Sequence, residues 1–312
     1  MARGVRFVPD RGALVEVTVR TKQSRLLLRP SPALDRIVLG VLGRAQRRYQ
    51  IECCGVVFMS NHWHALLRVQ DAQQLSRFMQ YVNGNLALEV NRLVDWPHGL
   101  WSRRYQAIVV SDEEEAQVGR LKYLLAHGVK EGLVARAEDW PGVCSAGALL
   151  HGKPLEGYWF DRTKEYAARN RGEDFGIMKY ATREELVLSP LPCWEHLSPQ
   201  QYRERIAGLI EQIEGEGRAE RESKGLVPLG PEAILKQNPT TRPNKTKKSP
   251  APRFHAVSKA VRKGMWEAYA TFVAAFREAA DRLKAGDRSA RFPVGSFPPA
   301  MPFVSPFPAR PP

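Results

Sequence analysis

Three histidines and one tyrosine are the residues of this chain best suited to chemistry. His62 and His64 flank Trp63 in the run HWHALLRV. On a β-strand, residues two apart leave from the same face, so both imidazoles point one way and Trp63 points the other. Two imidazoles side by side on a strand make half of a divalent-metal site. Alone, the same pattern describes two histidines on a sheet surface. Tyr123 and His127 stand four apart in YLLAHGVKEGLV, a spacing that puts a phenol and an imidazole on adjacent turns of one helix face. If that face lies across the histidine strand, three imidazoles converge with a hydroxyl beside them. The other reading leaves Tyr123 packing at the core edge and His127 near a helix C-terminus, where a cation is favoured. Spacing does not choose between the two.

The elements around these residues are legible from periodicity. ALVEVTVR over 13–20 alternates apolar and polar residues and reads as a strand. After Pro30 and Pro32, Leu34, Ile37, Val38, Val41, Leu42 and Ala45 recur at helical spacing, with Arg44, Arg47 and Arg48 outside the stripe. The runs 51–59 and 62–69 read as strands joined by Ser60-Asn61, which makes them antiparallel neighbours. A second helix is expected over 73–93 and another strand over 105–110. The acidic run Asp112 to Glu115 opens a third helix, favoured by its dipole, that reaches His127 with Gly128 as its stop. This order describes an α+β domain: an antiparallel sheet with helices packed on it.

Beyond Ser145 prolines punctuate the chain, and 199–214 reads as a helix with Tyr202, Ile206, Leu209, Ile210 and Ile213 as its stripe. No acidic residue falls between Glu232 and Glu267, whereas nine Lys and Arg do. The expected organisation is a compact first domain over 1–145, which holds the candidate catalytic residues, and a partly helical accessory region over 146–235. A basic linker over 236–255, a basic helix over 256–285 and a disordered Pro-rich tail over 286–312 follow. The extension beyond the first domain is thus mainly helical.

Composition narrows the partners. The 312 residues are 43% hydrophobic and 26% charged, globular values that exclude a collagen-like or wholly disordered chain. The formal net charge of +14 points to phosphate-bearing partners, nucleic acid first. No apolar run is long enough for a membrane helix, and the N-terminus lacks the apolar segment of a signal peptide, so a cytoplasmic protein without a membrane partner is expected. Cys53, Cys54, Cys144 and Cys193 have neither metal-site nor disulfide-framework spacing and read as structural thiols.

Four segments carry a family resemblance. FMSNHWHALLRV resembles the histidine motif of single-tyrosine HUH-type transposases, and YLLAHGVKEGLV resembles the tyrosine helix of their REP-associated branch, which reads Y-x-x-x-N-P-V-R-A-G-L-V. Between them LWSRRYQAIVV is similar to that branch's W-x-x-R-[FY] strand, and DWPGVCS to its closing aromatic-Pro-Ser segment. The resemblance spans about residues 13–145. It implies the HUH-endonuclease fold, a ferredoxin-like sheet and helix arrangement. It also implies a DNA strand transferase that acts on single-stranded or hairpin DNA through a 5′-phosphotyrosine link and, when on DNA, is associated with the nucleoid.

By that resemblance Tyr123 is the nucleophile, and His62, His64 and His127 hold a divalent cation, Mg²⁺ or Mn²⁺. His127 stands where the branch has Asn, and imidazole favours Mn²⁺ or a softer ion over Mg²⁺. The same departure keeps open a hairpin-binding protein that no longer cuts; a metal-dependent hydrolase using water is a further alternative. No nucleotide cofactor is expected, because the covalent link conserves the bond energy. Tyr81 and Tyr105 are weaker nucleophile candidates, having no histidine four residues away. Asn61 is assigned to the turn and Gly128, where the branch has Pro, to helix termination. Trp63, Trp101 and Trp140 are read as core. Candidate DNA contacts are Arg44, Arg47, Arg48, Arg103, Arg104, Lys130, Lys245, Lys247 and Lys248. Whether the protein is a monomer or a dimer is not legible.

Overall fold

A computed structural model describes residues 6–9, 12–152, 154–173, 176–243 and 252–299. Strand β1 (Ala13–Arg20) leads to helix α1 (Pro32–Tyr49), the antiparallel pair β2 (Glu52–Met59) and β3 (His62–Val69), helix α2 (Ala72–Leu93) and strand β4 (Gln106–Val110). Helices α3 (Glu114–Leu125), α4 (His127–Lys130) and α5 (Ser145–His151) follow. Then come β5 (Leu155–Phe160), α6 (Arg162–Asn170), β6 (Ala181–Leu186), α7 (Pro199–Lys224), α8 (Pro231–Leu235), β7 (Phe254–His255) and α9 (Lys259–Lys284). The main sheet has the order β2-β3-β1-β4-β7. Its first four strands are antiparallel, whereas β7 runs parallel to β4.

Strand parity divides the sheet into two apolar faces. Val15, Val17 and Val19 of β1 and Trp63, Ala65 and Leu67 of β3 enter one core with α1 and α2. Leu14 and Leu66 enter the other, beneath Leu121, Leu124 and Leu125 of α3 and Ile206, Leu209 and Ile213 of α7. Cys53 and Cys54 fall into separate cores, as adjacent strand residues should, and all four cysteines are free. Trp63 stacks on Phe58 with ring centroids 5.0 Å apart, while Trp140 and Trp101 donate Nε1–H to the carbonyls of Phe58 and Asn83. All three are structural.

Ser31 caps α1, its hydroxyl accepting from the Leu34 N–H, and Asp71 caps α2, its carboxylate accepting from the Gln74 N–H. The acidic run before α3 behaves differently. Glu113 precedes α3 without capping it; its carboxylate accepts from the Ser111 hydroxyl and from the Val257 and Ser258 N–H groups that lead into α9. Gly128 does not end the tyrosine helix. The break falls at Ala126, α4 continues through Gly128, and the chain leaves the helix at Gly132, with φ +65°. Gly128 is required for closeness, since a Cβ there would meet Val134 Cγ2 at 2.8 Å.

Both margins of the sheet are occupied by later parts of the chain. Along β2, the Phe58 N–H donates to Val143 O, Ser145 Oγ bridges the Val56 N–H and C=O, and the Ser189 N–H donates to Cys53 O. Along β4, the N–H groups of Val109 and Ser111 donate to the carbonyls of Arg253 and His255. The β5–β6 pair lies on α1, where a Cβ at Gly40 would come within 2.1 Å of the Tyr158 carbonyl carbon. Part of the proline-rich tail also departs from the expected disorder: Phe292 packs on Phe276, and Ser296 is buried and accepts from Gln73 Nε2. The remainder, 300–312, lies outside the described residues, as do Lys245, Lys247 and Lys248 of the linker. No helix among the described residues is long and apolar enough to cross a membrane.

Candidate metal centre and nucleophile

β3 sends His62 and His64 to the face covered by α3, and the α3–α4 segment brings Tyr123 and His127 down onto them. One ring nitrogen from each of His62, His64 and His127 lies within 4.8 Å of the other two. Ring centroids are 4.4 Å apart for His64–His127, 5.4 Å for His62–His127 and 4.7 Å for Tyr123–His127. The structure therefore brings all four sequence candidates together.

Each imidazole has its Nδ1 engaged. His62 Nδ1 is 2.6 Å from Asn61 Oδ1, His64 Nδ1 is 2.8 Å from Glu16 Oε1 and 2.9 Å from Thr18 Oγ1, and His127 Nδ1 is 3.0 Å from the Tyr123 carbonyl oxygen. Amide, carboxylate and carbonyl oxygens accept, so Nδ1–H donates and Nε2 keeps its lone pair. This is how metal-binding histidines are usually oriented. Three imidazoles so placed fit a divalent transition ion. Burial, reinforced by mutual repulsion among the rings and by Arg20, holds His62 well below the ordinary histidine range, and burial beside His64 pushes His127 down to about 3. His62 and His127 are therefore neutral at pH 7, as ligands must be.

Tyr123 is half-buried, with the Arg120 guanidinium 4.5 Å and Lys130 Nζ 5.2 Å from its ring centroid. Burial and the Glu16 charge raise its phenol above the usual tyrosine range, against the pull of Arg120 and Arg20. Burial would raise Glu16 too, but the hydrogen bond to His64 and the charge of Arg120 outweigh it, so its carboxyl is lowered and stays ionised.

Residues 14–123 match the family model described as Transposase IS200 like. This segment is an IS200-like transposase domain. The match holds His62, His64 and Tyr123, and ends before His127. Among solved structures, the chain is similar to a REP-associated tyrosine transposase bound to a REP hairpin, with 14% identity and a TM-score of 0.38 over 48% of this chain and 86% of that one. It is also similar to a protein described as a transposase from Deinococcus radiodurans r1, with 18% identity and a TM-score of 0.28 over 39% of this chain and 95% of that one. No curated protein matches.

The described basic candidates separate by face. Lys130 lies over the tyrosine ring, and Arg103 is close enough to Arg20, the cross-strand partner of His62, to act on its charge. Arg104 neighbours Arg6 and Tyr105 instead. Arg44 and Arg47 belong to the opposite face, where both pair with the buried carboxylate of Glu184 and Arg44 also lies over Trp159. Arg48 lies beside the rings of Tyr49 and Tyr81. Tyr81 and Tyr105 stand with the α1–α2 core, away from the imidazoles.

Four participants escaped sequence reading: Glu16, Thr18, Arg20 and Arg120. Glu16, Thr18 and Arg20 share one parity of β1, paired with Leu66, His64 and His62. That polar parity was the available signal. Asn61 does more than turn the chain, since its side chain accepts from His62 and donates to Ser24 O.

Proposed function

We propose that this chain is a DNA strand transferase that cleaves and rejoins single-stranded hairpin DNA through a covalent 5′-phosphotyrosine at Tyr123. The observation that carries the reading is the convergence of Tyr123 with three imidazoles whose Nε2 atoms are free. The IS200-like match supports the transposase class, and the four ordered motifs support the hairpin substrate.

In the proposed reaction the Tyr123 oxygen bonds to the scissile phosphorus and the bond to the 3′ oxygen breaks. The phenol proton leaves to solvent, and the departing oxygen takes up a proton to become a 3′-hydroxyl; a second 3′-hydroxyl reverses the step. A divalent ion held by His62, His64 and His127 would neutralise charge on that phosphate and position it, the two things phosphoryl transfer needs most. Arg120 and Lys130 place two cationic groups near the tyrosine ring, which favours the phenolate as it forms. Burial and Glu16 hold the phenol above the usual tyrosine range, so it is protonated before it attacks.

The test is a denaturing gel of the protein with labelled single-stranded hairpins from its genomic flanks, in Mn²⁺, Mg²⁺ or EDTA, beside Tyr123→Phe. A metal-dependent labelled band at protein mass that the Phe variant lacks is expected. Retarded complexes on a native gel with no covalent band in any metal would replace this reading with that of a binding protein.

A further inference from the structure

The most demanding group in the site is neither the nucleophile nor an imidazole. Glu16 sits in the middle of β1 between Val15 and Val17, at 1% exposure. A carboxylate so placed stays ionised only if its neighbours take up its charge. Two do. Oε1 lies 2.8 Å from His64 Nδ1, Oε2 forms an ion pair with Arg120, and the Arg120 guanidinium continues to the face of Tyr123.

The geometry points to Glu16 as a positioning residue that sets the cation-binding tautomer of His64 and, through Arg120, ties the tyrosine helix to the histidine strand. What the site does is taken from the function proposed above. The choice of tautomer falls to Glu16 because of what its neighbour cannot decide. Thr18 Oγ1 is also 2.9 Å from His64 Nδ1, but a hydroxyl donates or accepts with equal ease. An ionised carboxylate only accepts, so it requires Nδ1–H and leaves Nε2 free. The other oxygen needs a donor that can also reach the ring of Tyr123. A planar guanidinium satisfies both and a lysine does not. One carboxylate from β1 thereby aligns groups from β3 and α3.

The test uses the full chain with ¹⁵N-labelled histidine, metal-free, read by imidazole NMR, with Mn²⁺ affinity measured by calorimetry and folding by melts in EDTA. Wild-type His64 is expected as the Nδ1–H tautomer. Glu16→Gln, whose amide can also donate, is expected to populate Nε2–H and weaken Mn²⁺ binding by about 10- to 100-fold, the scale of lost orienting partners. Arg120→Lys, which keeps a cation beside Glu16, should leave Mn²⁺ affinity within about twofold and lower the rate of the covalent band. An Nε2–H tautomer in the wild type, which needs no variant to fold, overturns the proposal. So does a Glu16→Gln protein that keeps both the tautomer and the affinity of the wild type. If tautomer and affinity behave as expected and no covalent band ever forms, the strand-transfer function fails while the positioning role of Glu16 stands.

Discussion

The Nδ1 of His127 lies 3.0 Å from the main-chain carbonyl oxygen of Tyr123. In an unbroken helix that carbonyl would accept from the main-chain N–H of residue 127. Here α3 ends at Leu125, α4 begins at His127, and the imidazole takes up the oxygen. The proposed nucleophile and the third candidate ligand are therefore connected through one peptide group.

The identity of residue 127 should set the metal preference. His127→Asn replaces a nitrogen donor by an amide oxygen, a harder ligand that suits Mg²⁺. The yield of covalent adduct in Mg²⁺ relative to Mn²⁺ is expected to rise by roughly 10-fold, the scale of ligand-shell changes. An unchanged ratio would remove His127 from the coordination sphere.

Asp35, in the first turn of α1, makes stability depend on pH. Burial pushes its carboxyl up to about 7, against a hydrogen bond with the Val143 backbone, from an ordinary value of 3.8. Between those values the folded chain keeps a proton that the unfolded chain has lost. The stabilisation is complete below pH 3.8 and is lost as pH rises toward 7. Asp35→Asn should stabilise the protein above pH 7 by about 1 to 2 kcal/mol and flatten the profile between, as urea melts at several pH values would show.

Ser145 closes the margin of β2 with a hydroxyl in place of a strand, at zero exposure. Ser145→Ala leaves both the N–H and the C=O of Val56 without this partner. A loss of about 2 kcal/mol in urea unfolding is expected. Less than about 0.5 kcal/mol would mean that another group takes over.

DNA affinity should follow the face on which each cation stands. Arg103→Ala and Lys130→Ala are each expected to weaken single-stranded hairpin binding and to lower the slope of log K against log[salt] by about one. Arg47→Ala, which loses its partnership with Glu184, should leave the slope unchanged and lower the melting temperature. Fluorescence anisotropy over a salt series separates the two, and a salt slope altered by Arg47→Ala would bring the opposite face into the interface.

Most of the transposase domain was legible because its strands and helices keep clean periods. The parity of His62 and His64 survives into three dimensions because it rests on one strand's geometry, and the step from Tyr123 to His127 survives because the break at Ala126 keeps both side chains on one face. What sequence did not disclose depends on contacts between distant elements. Glu16 in ALVEVTVR looks like the solvent-facing residue of a one-sided sheet, and only the helix laid over that face turns it into a buried carboxylate. Arg44 and Arg47 look like a free basic patch until Glu184 of β6 arrives above them. Two-residue β7 has no period to read. Gly128 resembles a helix stop, and its purpose appears only when Val134 and Trp140 fold back against it.

The closure of β4 by residues 253–255 also has a temporal side. Chains are made from the N-terminus, and pairings between distant positions form late because they enclose long loops. His62, His64, Tyr123 and His127 have all been synthesised before the strand that covers β4 exists. A nascent chain thus holds every side chain of its proposed catalytic site while one flank of its sheet is still open to pairing with other chains. The interval ends when Phe254 docks beside Val109.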